Sequence, residues 1–299
     1  MNRTKRARKK KRYDKEAYFM ILPAYTIFAV FILIPVFMVI FYSFTNYNLY
    51  QSPEVVGLKN YLKAFKDKDF IISVKNTLCY AGVTLVLQLS LGLFLAVLLY
   101  RKSRLIPIFR TAIYLPHVMS MVCVSMVWLW IYDANFGLFN ALMKALGLPV
   151  QKWLLDPKLA MPCIILVSVW KGFGYCMVIF LSGLTGIPES LYEAAELDGA
   201  GAIRKFTNIT WPMLKPTTFF LVVTGIVNCF AVFEQVNIMT NGGPLKRTTT
   251  VVHQIYQSAF LEFKMGYASS LSVLLLAFSL LVTMMLFKFG NKGQDVDVS

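Results

Sequence analysis

The chain has 299 residues, 57% of them hydrophobic and 15% charged, with 30 Lys and Arg against 15 Asp and Glu. Soluble domains carry about 25% charged residues, and several apolar runs here reach the roughly 20 residues a helix needs to cross a bilayer core about 30 Å thick, which excludes a soluble globular protein. The net charge of +15 does not indicate nucleic acid, because nine of the 30 basic residues lie between positions 3 and 15, next to the first apolar run, where they orient the chain and attract anionic lipid headgroups.

In chain order, a basic tail over 1–17 leads into six apolar segments at 18–44, 77–100, 112–132, 160–184, 217–238 and 267–289, and a short tail over 290–299 follows. Backbone groups in lipid must be satisfied within the segment, so each is expected to be a helix. The predicted fold class is therefore all-α integral membrane, with six transmembrane helices in one membrane domain over 18–289. Pro23 and Pro35 predict bends in the first segment. Its apolar stretch exceeds the core of a cleaved signal peptide and no A-x-A-like site follows, so it reads as an anchor. Between the third and fourth segments, "FGLFNALMKALGLP" predicts an amphipathic helix on the membrane interface or an exposed connector.

Orientation follows from basic residues. The tail, the 101–110 linker, the 204–215 stretch and the end of the chain lie on one side of this topology and carry the excess of Lys and Arg, which places both termini in the cytoplasm. The tail carries most of that inference, since without it the two sides hold nine and eleven basic residues. The five cysteines, Cys79, Cys123, Cys163, Cys176 and Cys229, all fall in apolar segments without a C-x-x-C pair, so neither disulfides nor a metal site is expected. His117 and His253 are expected in loops or at helix ends. No catalytic constellation is expected.

The segment 187–216, "IPESLYEAAELDGAGAIRKFTNITWPMLKP", predicts a compact helix–turn–helix on the cytoplasmic side. Pro188 suits a first turn and Glu189 complements the helix dipole. Leu191, Ala194, Ala195 and Leu197 supply an apolar face, and Gly199 and Gly201 interrupt the run. A second short helix is expected from Ala202 to Ile209, ended by Pro212. On physical grounds alone the unit is either a docking knob or a surface cap.

Glu193, Ala194 and Ala195, then Asp198, Gly199 and Ala200, then Phe206, Ile209, Pro212, Leu214 and Pro216 closely resemble the EAA signature of ABC-importer permeases, with Trp211 where leucine is more usual. "LPAYTIFAVFILIPVFMVIFYSFTNYN", "VGLKNYLKAF", "FRTAIYLPHVMS", "MTNGGP" and "GYASSLSVLLL" resemble the carbohydrate-importer branch of the same family. The resemblance implies a type I ABC importer permease in the cell membrane of a prokaryote. Its partners would be a second permease subunit in a heterodimer, a cytoplasmic ABC ATPase dimer holding ATP and Mg, an extracytoplasmic solute-binding protein, and membrane lipid. Residues Glu193 to Ala200, with Phe206, Ile209 and Pro212, would couple the ATPase to the membrane helices mechanically. No cofactor is expected in this chain, since a P-loop requires a Gly-Lys dipeptide and none occurs.

Lys171 is twelfth in the 160–184 segment, where a charge costs at least about 2.5–3.5 kcal/mol on insertion scales. It is expected to face a watery cavity or a partner acid. Trp170 and Tyr175 beside it, and Asn228, Phe233, Glu234 and Gln235 in the fifth segment, are the candidate solute path, since hydroxylated solutes need donors and acceptors near an apolar platform. Helix-packing glue is the competing role for each, as for Thr84 and Gln88. An ion-coupled secondary transporter is the alternative class. It needs membrane-embedded acids, and Glu234 is the one credible candidate.

Overall fold

A computed structural model describes residues 17–100 and 103–290. The basic tail up to position 16, Arg101 and Lys102 of the 101–110 linker, and the tail over 291–299 lie outside the described residues. The described chain is nearly all helix, and its one isolated β-bridge joins Thr45 to Val55. In order, the helices are α1 (Ala17–Ser43), α2 (Lys59–Lys66), α3 (Lys68–Leu98), α4 (Ile106–Val118), α5 (Met121–Ile131), α6 (Leu138–Ala145), α7 (Ala160–Thr185), α8 (Glu189–Leu197), α9 (Ala202–Lys205), α10 (Trp211–Met213), α11 (Lys215–Phe230), α12 (Glu234–Met239), α13 (Val251–Tyr256) and α14 (Met265–Gly290).

Among the described residues, α1, α3, α7, α11 with α12, and α14 are each long and apolar enough to cross a membrane. The expected third span is not a straight helix. It is the pair α4–α5, bent by 97° at Met119–Ser120, and it makes a sixth span only if the pair is counted as one. Pro116 lies inside α4 and removes a backbone donor, and Met119 and Ser120 then turn extended (ψ 146° and 136°). The fifth span is also interrupted: α11 ends at Phe230 and α12 restarts at Glu234. Ahead of Pro35, α1 widens into a π-turn at Ala29–Leu33, and the same device recurs at Phe206–Thr210 ahead of Pro212. The wider turn gives the proline ring room, so Pro212 does not end the helix as predicted; it sits in the first turn of α10.

The described residues pack as two compact units, the first formed by those up to Ala64 with Ser258–Leu274, the second by those within Phe65–Gln257 and from Leu275 to Gly290. In the first, the C-terminal carbonyls of α1 are answered by α2. Asn60 Nδ2 donates to the carbonyls of Ser43 (2.9 Å) and Thr45 (2.8 Å), and the Ser43 and Tyr61 hydroxyls are 2.6 Å apart. Gly266 N–H donates to the Tyr47 carbonyl at 2.8 Å. A Cβ on Gly266 would stand 2.0 Å from the Thr45 carbonyl oxygen, so this close approach requires glycine.

In the second unit, α7 is the central element, with α3, α4 and α11 packed around it. Its two ends sit in separate cores. Ile164, Ile165 and Val169 pack with Tyr80, Phe230 and Val236; Met177, Phe180, Leu181 and Leu184 pack with Ala96, Leu214 and Leu221. Membrane helices gain little from hydrophobic transfer and associate through close contact of small residues. Here a Cβ on Gly92 would meet Cys176 Cβ at 2.5 Å, and a Cβ on Gly174 would meet the Ile113 carbonyl oxygen at 2.3 Å. The α6 helix forms as expected, held by Asn140, which is buried with four hydrogen bonds: Nδ2 to the Ala134 and Gln151 carbonyls, and Oδ1 from Gln151 N–H and Trp153 Nε1.

The "MTNGGP" segment and the threonines after it form a closed polar knot. Thr248 and Thr249 hydroxyls donate to the Gly243 (2.7 Å) and Gly242 (3.0 Å) carbonyls, and Asn76 Nδ2 donates to the Lys246 and Thr249 carbonyls. Lys246 pairs with Asp69. His253 lies in the last turn of the short α13, a helix-end position as expected, and is fully buried there, with Nε2 3.2 Å from Asn241 Oδ1. Gly242, at φ +80°, lies against its ring, where a Cβ would come within 2.7 Å of Cε1.

Two predictions follow from this packing. Gly174→Ala should destabilise the subunit by about 1–3 kcal/mol, because the obstructing atom is backbone and cannot turn aside. Gly82→Ala, with nothing within 4 Å of the new carbon, should be neutral or slightly stabilising. Thermal unfolding of the purified protein in detergent compares them. Burial holds the His253 imidazole below its ordinary pKa of 6.5. The unfolded chain therefore takes up a proton as pH falls through 6.5 while the folded knot resists it. Stability present above that pH should decline as pH falls from there through the lowered folded value, and His253→Gln should flatten this acid limb in unfolding curves.

Candidate functional site

Three helical stripes converge in the second unit. On α7, Ser168, Lys171, Gly172, Tyr175 and Cys176 recur at the three- and four-residue spacing that defines one helix face. On α11 the matching stripe is Leu221, Thr224, Gly225, Asn228 and Cys229, and on α3 it is Tyr80, Thr84, Leu85 and Gln88. Gln235 of α12, and His117 and Met121 on either side of the α4–α5 bend, complete the wall of a cavity of about 250 Å³. Both interrupted spans therefore contribute to the same cavity, which is where non-helical backbone at membrane depth is tolerated.

Hydrogen bonds lock the wall. Gln235 Nε2 donates to the Tyr80 hydroxyl at 2.9 Å and to Ser168 Oγ at 3.3 Å, and Gln88 Nε2 donates to the Ser168 carbonyl at 2.8 Å. Gln88 fits because it lies over Gly172, where a Cβ would fall 2.0 Å from its amide nitrogen. The Thr84 hydroxyl is buried without a partner. Lys171 Nζ donates to the His117 carbonyl at 2.9 Å, in the last turn of α4, where the helix dipole favours a cation. The His117 and Tyr175 rings stack at 4.9 Å with planes 18° apart.

Of the residues singled out for the solute path, Lys171, Tyr175, Asn228 and Gln235 line this cavity, and Trp170, Phe233 and Glu234 do not. Trp170 turns to Trp128 (ring centroids 5.5 Å) in a separate aromatic core, Phe233 packs on Tyr256 (5.0 Å), and Glu234 is exposed in the first turn of α12. Tyr80, His117, Ser168 and Thr224 went unselected. Helical spacing to Thr84, Lys171 and Asn228 was a signal for Tyr80, Ser168 and Thr224; His117 had none.

The 187–216 segment lies at the end of the unit where α3 and α7 finish and α4 begins. Gly199, at φ +70°, closes α8: its N–H reaches the Glu196 carbonyl at 3.0 Å and the Ala200 N–H reaches the Ala195 carbonyl at 2.8 Å. This paired geometry satisfies the last carbonyls of the helix. The turn is braced by the Lys205–Glu196 ion pair (2.5 Å), which holds the Glu196 carboxyl below the usual carboxylate range, and by the Tyr192–Thr210 hydroxyl contact (2.9 Å). Ile209 packs with Tyr192 at the lower core, Phe206 lines an adjoining cavity of about 790 Å³, and Pro212 is half-buried. Glu193, Ala194, Asp198 and Gly199 are exposed; Ala195 and Ala200 are half-buried. Leu197 and Ile203 flank the turn at 90% and 82% exposure.

A helical membrane unit with bent spans, a cavity lined by polar and apolar side chains, and an exposed, braced turn has the architecture of a transport subunit. A model of the family "Binding-protein-dependent transport system inner membrane component" matches residues 88–292. A probable ABC transporter permease protein of Bacillus subtilis (strain 168), YurN, is 37% identical over 284 residues, covering 93% of this chain and 97% of its own length. The sn-glycerol-3-phosphate transport system permease protein UgpA of Yersinia pseudotuberculosis is 32% identical over 276 residues, covering 91% and 93%. The fold matches a chain in the crystal structure of a bacterial ABC transporter involved in the import of the acidic polysaccharide alginate, with a TM-score of 0.85 at 24% identity, covering 96% of this chain and 99% of that one. The chain belongs to the family of inner-membrane permease components of binding-protein-dependent ABC transport systems.

Proposed function

We propose that this permease imports a sugar or related small solute, delivered by an extracytoplasmic binding protein, through a pathway it shares with a second permease. A cytoplasmic ATPase dimer holding ATP and Mg would dock on the turn around Gly199. The observation that carries this reading is the turn itself. It is fixed from behind by Lys205–Glu196, Tyr192–Thr210 and the buried Leu214, yet it presents Leu197, Gly199 and Ile203 outward. A surface cap has no need to be both rigid and apolar.

Under this reading Glu193, Ala194, Ala195, Asp198, Gly199 and Ala200 form the contact, and Phe206, Ile209 and Pro212 anchor it to α11. Both termini then lie in the cytoplasm, on the side of the turn. The four cavity-lining candidates, Lys171, Tyr175, Asn228 and Gln235, belong to the solute path. The sugar class is supported by the polar wall beside the stacked His117–Tyr175 face, and by the transport systems named for the relatives.

The test separates folding from docking. Gly199→Asn keeps a residue that tolerates the left-handed turn, and its side chain points into open space within this chain. In proteoliposomes carrying the complete importer, Gly199→Asn should leave the subunit inserted while ATP hydrolysis ceases to drive uptake. Gly199→Val adds turn strain of about 1–2 kcal/mol and should be at least as severe. Normal ATP-driven uptake by both variants would remove the docking assignment.

A further inference from the structure

The cavity carries a charge that its own wall does not answer. Its lining includes Tyr80, Thr84, Gln88, Ser168, Asn228 and Gln235, with Lys171 the one side chain of fixed charge and no Asp or Glu present. Among the described residues Lys171 makes no ion pair, and Glu234, the acid whose field reaches it, lies outside the lining. An ammonium has three donors. Lys171 gives one to the His117 carbonyl and leaves two for the cavity.

We infer that the solute this cavity is built to pass is an acidic sugar, a hydroxylated ring bearing a carboxylate or phosphate, and that Lys171 is the residue selecting for the acidic group. The inference rests on the proposed solute path and narrows its substrate class. Three features support it together. A cation at membrane depth is expensive unless something negative meets it; the His117 carbonyl supplies only a partial charge, and Glu234 acts from outside the cavity wall without forming an ion pair. Beside it, the His117–Tyr175 stack offers a flat face for a ring, while the exposed Asn228 amide offers donors and an acceptor for ring hydroxyls. The volume of about 250 Å³ lies below the roughly 300 Å³ at which drug-sized pockets begin, so the cavity grips one ring at a time. Charge-assisted hydrogen bonds are stronger than neutral ones, so the acidic group dominates the contacts of a ring in this space.

The experiment places a reporter thiol in the wall, as Asn228→Cys on a background where the five native cysteines are replaced, and purifies the membrane complex through this chain. Labelling by a water-soluble thiol reagent is timed with galacturonate, with galactose, and with sodium chloride at matched ionic strength. Galacturonate should slow labelling several-fold and galactose much less. The difference should vanish in Lys171→Gln and persist in Lys171→Arg, which keeps the charge. Labelling that both sugars slow equally, or neither slows, overturns the acidic preference and leaves the solute path standing. Acid-selective protection that survives Lys171→Gln removes Lys171 from the role. A thiol at position 228 that stays inert to the reagent both without nucleotide and with ATP and Mg overturns the path itself, and the acidic preference with it. The galacturonate–galactose comparison with Lys171 intact is decisive whether or not Lys171→Gln assembles.

Discussion

Inside a bilayer every backbone N–H and C=O must find a partner within the protein, and the second unit is organised around the two places where its helices leave some of them over. At the α4–α5 bend the chain leaves the helix after Pro116, and the His117 carbonyl is taken up by Lys171 from the neighbouring α7. After α11, the Val232 carbonyl is taken up by the Thr250 hydroxyl at 3.0 Å. Each break is thus answered by a side chain from a different segment of the chain, Lys171 of α7 and Thr250 just before α13. That requirement fixes where α7, α4 and the threonine knot stand relative to α11 and α12. The cavity is the space left between those fixed positions.

Close approach then decides how wide that space is. Gly92 and Gly174 bring α3 and α4 against α7 at distances no side chain would permit, and Gly172 admits the Gln88 amide. Gln88 and Gln235 both reach Ser168, one at its carbonyl and one at its hydroxyl, so a single residue of α7 sets the spacing of α3 and α12 at once. A buried polar network of this kind is strong when complete and unforgiving when one member is lost. It suits a wall that must keep its shape while facing water.

The spans were legible in the sequence because hydropathy and length suffice for them. Their interruptions were not, because an apolar run gives the same signal whether its helix is straight or broken. Pro116 was visible within the third run, yet membrane helices often tolerate proline, as α1 does at Pro23 and Pro35. At Pro212 the expectation of a helix end failed for a related reason, since a π-turn makes room for the ring. In the cavity, Lys171, Tyr175, Asn228 and Gln235 stood out by chemistry. Trp170 was included by adjacency, but one residue along a helix is about 100° around it, and Trp170 faces Trp128 instead. Phe233 and Glu234 were misplaced because the run over 217–238 reads as one helix, whereas the break after Phe230 resets the facing of everything beyond it. His253 sits at a helix end as expected, but its burial was not legible, because the threonine hydroxyls before it close on nearby carbonyls and enclose the imidazole.

The Gly199 turn and the cavity are joined by a nearly continuous helical stretch of the second unit. From Ala202 through Phe230 the chain stays helical apart from Leu214, which is fully buried and ties the stretch to the base of α7. The π-turn at Phe206–Thr210 lets this path run past Pro212 without a joint. Where the stretch does end, at Ala231–Phe233, the next residues lead directly to Gln235 in the cavity wall, while Thr224 and Asn228 already line that wall from α11. A rigid arm with one free hinge transmits a push at its base as a displacement near its far end, whereas a chain of flexible loops would absorb it. In the proposed importer the consequence is specific: movement imposed at Gly199 acts first on the α11 stripe and on the Gln235–Tyr80–Ser168 bonds, the same bonds that hold the wall around Lys171.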